Sequence, residues 1–73
     1  MPTAAELKAR IEAAITDADA EVESPDDVHF SARVSSPAFA GLSRLEQHKM
    51  VYDIFDGELG GSIHALSLKT ETR

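Results

Sequence analysis

Leu7, Ile11, Ala14, Ile15 and Ala18 recur at the spacing of one helical stripe, with Lys8, Arg10, Glu12 and Asp17 on the opposite side. Thr3-Ala4-Ala5-Glu6 just ahead of them fits a capping box, so the pattern predicts a helix over 4–18. Ala20-Glu21-Val22-Glu23 then alternates as a short strand. Ser24-Pro25-Asp26-Asp27 is turn chemistry, because Pro25 presets φ and the Asp side chains close Asx turns. From Val28 to Val34 the alternation is clean: Val28, Phe30, Ala32 and Val34 take one face, and His29, Ser31, Arg33 and Ser35 the other. The two strands read as a hairpin, and Pro37 ends the second one. Phe39 is an apolar anchor in the loop that follows.

Ser43-Arg44-Leu45-Glu46 is a second capping box. The helix it opens is predicted over 44–58, with Leu45, Val51, Tyr52, Ile54, Phe55 and Leu59 covering a sheet and Gly60 as the left-handed stop. Ile63 to Lys69 forms the last strand. The order α-β-β-α-β predicts an α+β fold: one small domain over 1–73, with a three-stranded mixed sheet and both helices on one face. The third strand follows a helical crossover, so it can run parallel to a neighbour.

At 73 residues the chain holds one modest core, and with no cysteine it has no disulfide to reinforce it. The absence of cysteine agrees with a reducing, cytoplasmic setting. The N-terminus has neither a basic region nor an apolar one, so no signal peptide is expected. No stretch approaches the ~18 apolar residues of a membrane span, so no membrane association is expected. Thirteen acidic against seven basic residues give a net charge of −6, which repels phosphate backbones at long range. Nothing in the sequence pairs a nucleophile with a base in the manner of a hydrolase, and so short a chain encloses little substrate, so no enzyme is expected.

Candidate chemistry rests on three histidines. His64, after the Gly60-Gly61 break, opens the last strand at the mouth of the fold, on the face shared by Leu66 and Leu68. It reads either as a structural histidine at the core rim or as a metal ligand. His29 lies on the polar face of its strand, where a solvated or cross-strand role competes with ligation. His48 is a helix-surface or interface residue one turn before Tyr52. Arg33, Arg44 and Lys49 are the cations from which a small basic patch for DNA could be built. Gly57-Glu58-Leu59-Gly60 matches a G-x-x-G expression by letter, but its middle position is acidic and it precedes the last strand instead of joining two helices.

His29-Phe30, Val34-Ser35-Ser36, Phe39-x-Gly41-x-Ser43, His48-Lys49-x-Val51-Tyr52 and Ile63-His64-Ala65-Leu66-Ser67-Leu68-Lys69-Thr70 occur in one order and spacing. In that combination the chain resembles the BolA-like family. The resemblance implies a fold similar to the second class of KH domains. It also implies partnership with a monothiol glutaredoxin and its glutathione, around a shared [2Fe-2S] cluster, with no cofactor in the isolated chain. The family's ligand is the histidine of the His-Ala motif, here His64, joined by a Cys or His from the loop between the first two strands. Here that loop, Ser24–Asp27, carries neither, and His29 is the nearest imidazole. Imidazole ligation removes thiolate charge and raises a cluster's potential. Some members of the family resemble transcriptional regulators, which keeps DNA as an alternative partner. Alone, the chain is expected to be a monomer or weak homodimer. The family's segment after the last strand has no counterpart before Arg73.

Overall fold

The computed structural model describes residues 2–63 and 65–73. Its elements are α1 (Ala4–Ala14), β1 (Asp19–Glu23), β2 (His29–Ser36), a 3-10 turn (Pro37–Phe39), α2 (Arg44–Ile54) and β3 (Ala65–Thr72). The three strands form one sheet in the order β1-β2-β3. β1 pairs antiparallel with β2, from Asp19↔Ser35 to Glu23↔Ser31. β3 pairs parallel with β2, from His29↔Ala65 to Ser36↔Thr72. The α+β architecture and the mixed sheet are those expected.

The alternation read along β2 is the alternation of burial. Phe30, Ala32 and Val34 are buried, as is Ser36, while His29, Ser31 and Arg33 are exposed. One core joins Leu7, Ile11 and Ile15 to Ala20, Phe30, Val34, Phe39, Val51, Phe55 and Ile63, with Leu66 and Leu68 packed against it. At ~25 cal/mol per Å² of apolar surface, each large side chain in this set contributes about 1.5–3 kcal/mol against chain entropy. Phe39 is fully buried, as its role as an anchor requires.

Both helices are shorter than their apolar spacing suggests. α1 stops at Ala14 because its C-cap Ile15 is already extended (φ −115°, ψ 123°), and Asp17 then takes a left-handed backbone (φ 52°) on the way into β1. Ala14 is exposed in consequence, and Ala18 packs on the core from outside the helix. α2 stops at Ile54 and a run of turns follows. Gly57 already has a positive φ of 84°, so the reversal begins before Gly60. Leu45 and Leu59 do not cover the sheet: they are 79% and 39% exposed. Leu45 shares a flank with His48 and Tyr52, off the stripe of Val51 and Phe55 that meets the core. β3 runs three residues further than expected, to Thr72, because it pairs with β2 along its described length.

At α2 both halves of the capping box form: Ser43 Oγ accepts from the Glu46 amide at 3.1 Å, and Glu46 accepts from the Ser43 amide at 2.9 Å. At α1, Thr3 Oγ1 accepts from the Glu6 amide at 3.2 Å. Two further contacts tie the helices down. Arg10 donates to both Glu58 carboxylate oxygens and to the Ile54 carbonyl, with its guanidinium 4.7 Å from the centre of the Phe55 ring. Lys8 donates to Glu12 and to the Ala20 carbonyl, while Glu12 accepts from the Ala20 amide.

Ser36 is fully buried, donating to the Thr16 carbonyl at 2.7 Å and accepting from the Ala38 amide at 3.0 Å. Ser36→Ala strands both groups and should cost roughly 1–3 kcal/mol. Ser35→Ala next to it, on the outer face, should stay within about 0.5 kcal/mol. Urea unfolding of the two variants checks this, and equal losses would count against the buried bridge.

Candidate functional site

The parallel register sets the first feature of the site. Ala65, second residue of the His-Ala motif, is paired with His29, and its amide donates to the Val28 carbonyl at 3.2 Å. The starts of β2 and β3 thus lie side by side next to the 24–27 turn. His64 itself falls outside the described residues, so its assignment rests on sequence.

The turn is built around Asp26. Its Oδ1 accepts from the Val28 amide at 3.0 Å and the His29 amide at 2.9 Å, and its Oδ2 lies 2.7 Å from His29 Nδ1. Ser24 donates to the His29 carbonyl and accepts from the Asp27 amide, which closes the loop with Asp27 in a left-handed conformation (φ 60°). The His29 and Val28 bonds hold the Asp26 carboxyl well below the usual carboxylate range, the backbone bond from His29 being the largest cause. The tautomer that donates from Nδ1 to Asp26 leaves the imidazole lone pair on Nε2. A carboxylate behind Nδ1 is the arrangement that orients metal-binding histidines. It is equally a sound turn-closing contact. Asp26 reads in the sequence only as a turn residue. Its position three before a histidine is the signal that could have revealed the contact.

Among the described residues, no group of three or more His, Asp or Glu is assembled that could hold a metal ion, and the chain has no cysteine.

The cations proposed for DNA do not come together. Arg33 projects from the exposed face of β2, in a cross-strand row with Glu21 and Lys69. That row and Ser31 and Ser67 line a shallow, open depression. Arg44 and Lys49 are on α2, whose Val51 and Phe55 pack on the opposite face of the sheet. Lys49 is also paired with Asp53 at 3.1 Å. The Gly57–Gly60 segment is occupied structurally, because Glu58 holds Arg10. His48 makes an edge-on ring contact with Tyr52, and Tyr52 donates to the Leu66 carbonyl at 3.2 Å, tying α2 to β3.

The model of the BolA-like protein family matches residues 5–73. The chain belongs to the BolA-like family. It is 30% identical over 80 residues to BolA-like protein 1 of Mus musculus, across 97% of this chain and 58% of that one. It is also 39% identical over 46 residues to SufE-like protein 1 of Arabidopsis thaliana, across 63% of this chain and 12% of that one. The chain therefore spans less than two thirds of the length of either relative. Among solved structures, a bolA protein homologue from Coxiella burnetii superposes with a TM-score of 0.83 at 37% identity, across 99% of this chain and 92% of that one. BolA-like sequence thus occurs both in a BolA-like protein and within a SufE-like one.

Asp26 is exposed, and its depressed ionisation fixes the direction of the turn's pH dependence. A carboxyl lowered by native contacts stabilises above its ordinary value near pH 4, and that stabilisation is lost as pH falls toward its folded value. The Val28 and His29 amide resonances should therefore titrate together, with a midpoint well below that ordinary value. Asp26→Ala should speed hydrogen exchange at both amides without unfolding the sheet. A midpoint near 4 would contradict the bonded turn.

Proposed function

We propose that this BolA-like chain is an adaptor that binds a monothiol glutaredoxin and takes part in binding, passing on or sensing a [2Fe-2S] cluster, in a reducing setting such as the cytoplasm. The observation that carries the reading is the pairing of Ala65 of the His-Ala motif with His29, beside an Asp26 carboxylate. The occurrence of BolA-like sequence in a SufE-like protein supports it, since we read that as an iron–sulfur context.

In this reading His64 of the His-Ala motif binds iron, and His29 is the candidate for a second position. The glutaredoxin cysteine and glutathione supply the thiolates. The cluster contributes reversible one-electron chemistry and labile iron–imidazole bonds. The chain's own residues have simpler tasks. Asp26 fixes the tautomer and direction of His29. The β2–β3 ladder holds Ala65 of the His-Ala motif against the turn. The acidic surface keeps nucleic acid away. The DNA alternative is the weaker reading, because Arg33 stands on the face of the sheet away from Arg44 and Lys49.

The test is titration of this protein into cluster-loaded monothiol glutaredoxin, followed by visible circular dichroism. A new spectrum complete at one-to-one stoichiometry is expected. His64→Ala should abolish it while the far-UV spectrum stays native. A spectrum that never departs from that of the glutaredoxin alone would remove the proposal, and one insensitive to His64→Ala would remove the ligand assignment.

A further inference from the structure

The two edges of the sheet are treated differently. At β1, both outward groups of Ala20 are taken: its amide by Glu12 and its carbonyl by Lys8. Asp19, Glu21 and Glu23 add three carboxylates to that strand, a charged edge that discourages strand addition. β3 has no comparable cover. The Ala65 amide donates to Val28 and the Arg73 amide to Ser36, so the odd-numbered residues of β3 turn their backbone groups toward β2. The even-numbered residues turn theirs outward. Tyr52 takes the Leu66 carbonyl. Beyond it, among the described residues, no hydrogen bond reaches the outward amides and carbonyls of Leu68, Thr70 and Thr72. Leu45, 79% exposed, lies on the flank of α2 that carries Tyr52 to this strand.

We propose that the β3 edge is a self-association surface, on which a second copy of this chain adds its own β3 antiparallel about a twofold axis at Thr70. The charges select the register. With Thr70 opposite Thr70, Leu68 faces Thr72 in hydrogen-bonded pairs, and Lys69 stands opposite Glu71 of the other copy, twice. Sliding one way centres the axis on Lys69 and sets two ammonium groups against each other. Sliding the other way centres it on Glu71 and opposes two carboxylates. The Thr70 register alone among these three is free of like-charge contact. Its centre also holds Thr70 Oγ1, a buried hydroxyl oxygen with no hydrogen-bond partner in the monomer. That oxygen is enclosed by the monomer's own atoms, so the register rests on the charge pairing and the outward backbone groups. A few residues of edge bury little area, and each copy carries a net charge of −6, so the dimer is weak and concentration-dependent.

Sedimentation equilibrium from about 10 µM to about 1 mM tests this. The native chain should pass from monomer to dimer within that range. Thr70→Pro removes an amide that faces outward and no rung of the β2–β3 ladder, so it should keep the chain monomeric with a native far-UV spectrum. Lys69→Glu alone or Glu71→Lys alone turns two attractions into repulsions and should weaken association roughly tenfold or more. The double exchange Lys69→Glu with Glu71→Lys should restore it. Restoration cannot come from a misfolded strand, which keeps the test sound if a single variant is unstable. In an isotope-mixed sample, a Lys69 Hα to Glu71 Hα contact between copies is expected. A monomer at every concentration overturns the proposal, as does a dimer indifferent to Thr70→Pro or a double exchange that fails to recover.

Discussion

Everything in this domain hangs on the parallel pairing of β2 with β3. A parallel neighbour cannot follow β2 directly, so the chain must climb across the sheet and return. That return is α2, and the crossover drops Val51 and Phe55 onto the face carrying Phe30 and Val34. The register from His29↔Ala65 to Ser36↔Thr72 then settles three things together. It puts Leu66 and Leu68 on the core side. It leaves Arg33 and Lys69 on the open side. It brings Ala65 against the turn that holds His29. A slip of one residue would invert all three, because strand side chains alternate with a period of two.

A sheet of three strands with one wet face has little apolar surface to spare, so polar contacts at its margins fix how the helices sit. Arg10 closes the end of α2 by taking the Ile54 carbonyl, one of the groups a helix terminus leaves open, and holds Glu58 with the same guanidinium. Its face lies over Phe55, so a charged group also extends the apolar layer. Lys8 and Glu12 do the equivalent for β1, satisfying the Ala20 amide and carbonyl from the helix above. Ser36 joins the end of β2 to the turn after α1.

The strands were legible in the sequence because alternation is a local signal with one physical cause. β2 is the clear instance: the residues that alternate from Phe30 to Val34 are those that alternate in burial. Helix lengths were less legible. Apolar spacing continues to Ala18 and to Leu59, but the backbone leaves the helix at Ile15 and Phe55, ahead of a left-handed Asp17 and Gly57, and periodicity does not register a single φ. Leu45 was misplaced for a related reason, since hydrophobicity says that a residue prefers burial and not which flank of a helix meets the sheet. At the candidate site, the imidazoles were visible as letters. The Asp26–His29 bond was not, because a turn aspartate is expected whether or not a histidine ring reaches it. Nor does a list of cations reveal that β2 and α2 present theirs to opposite sides.

The charge distribution narrows the partners the surface can accept. Of seven Lys and Arg side chains, Lys8, Arg10 and Lys49 are each held by a carboxylate of this chain. Arg73 is turned to the Asp17 carbonyl. Arg33 and Lys69 are set in a row with Glu21. A phosphate backbone therefore meets few unengaged cations on a surface of net negative charge, and binding strength to nucleic acid depends on the number of phosphates neutralised. A protein partner is under no such requirement. It can dock on an exposed edge and an exposed leucine, using backbone hydrogen bonds that do not depend on net charge.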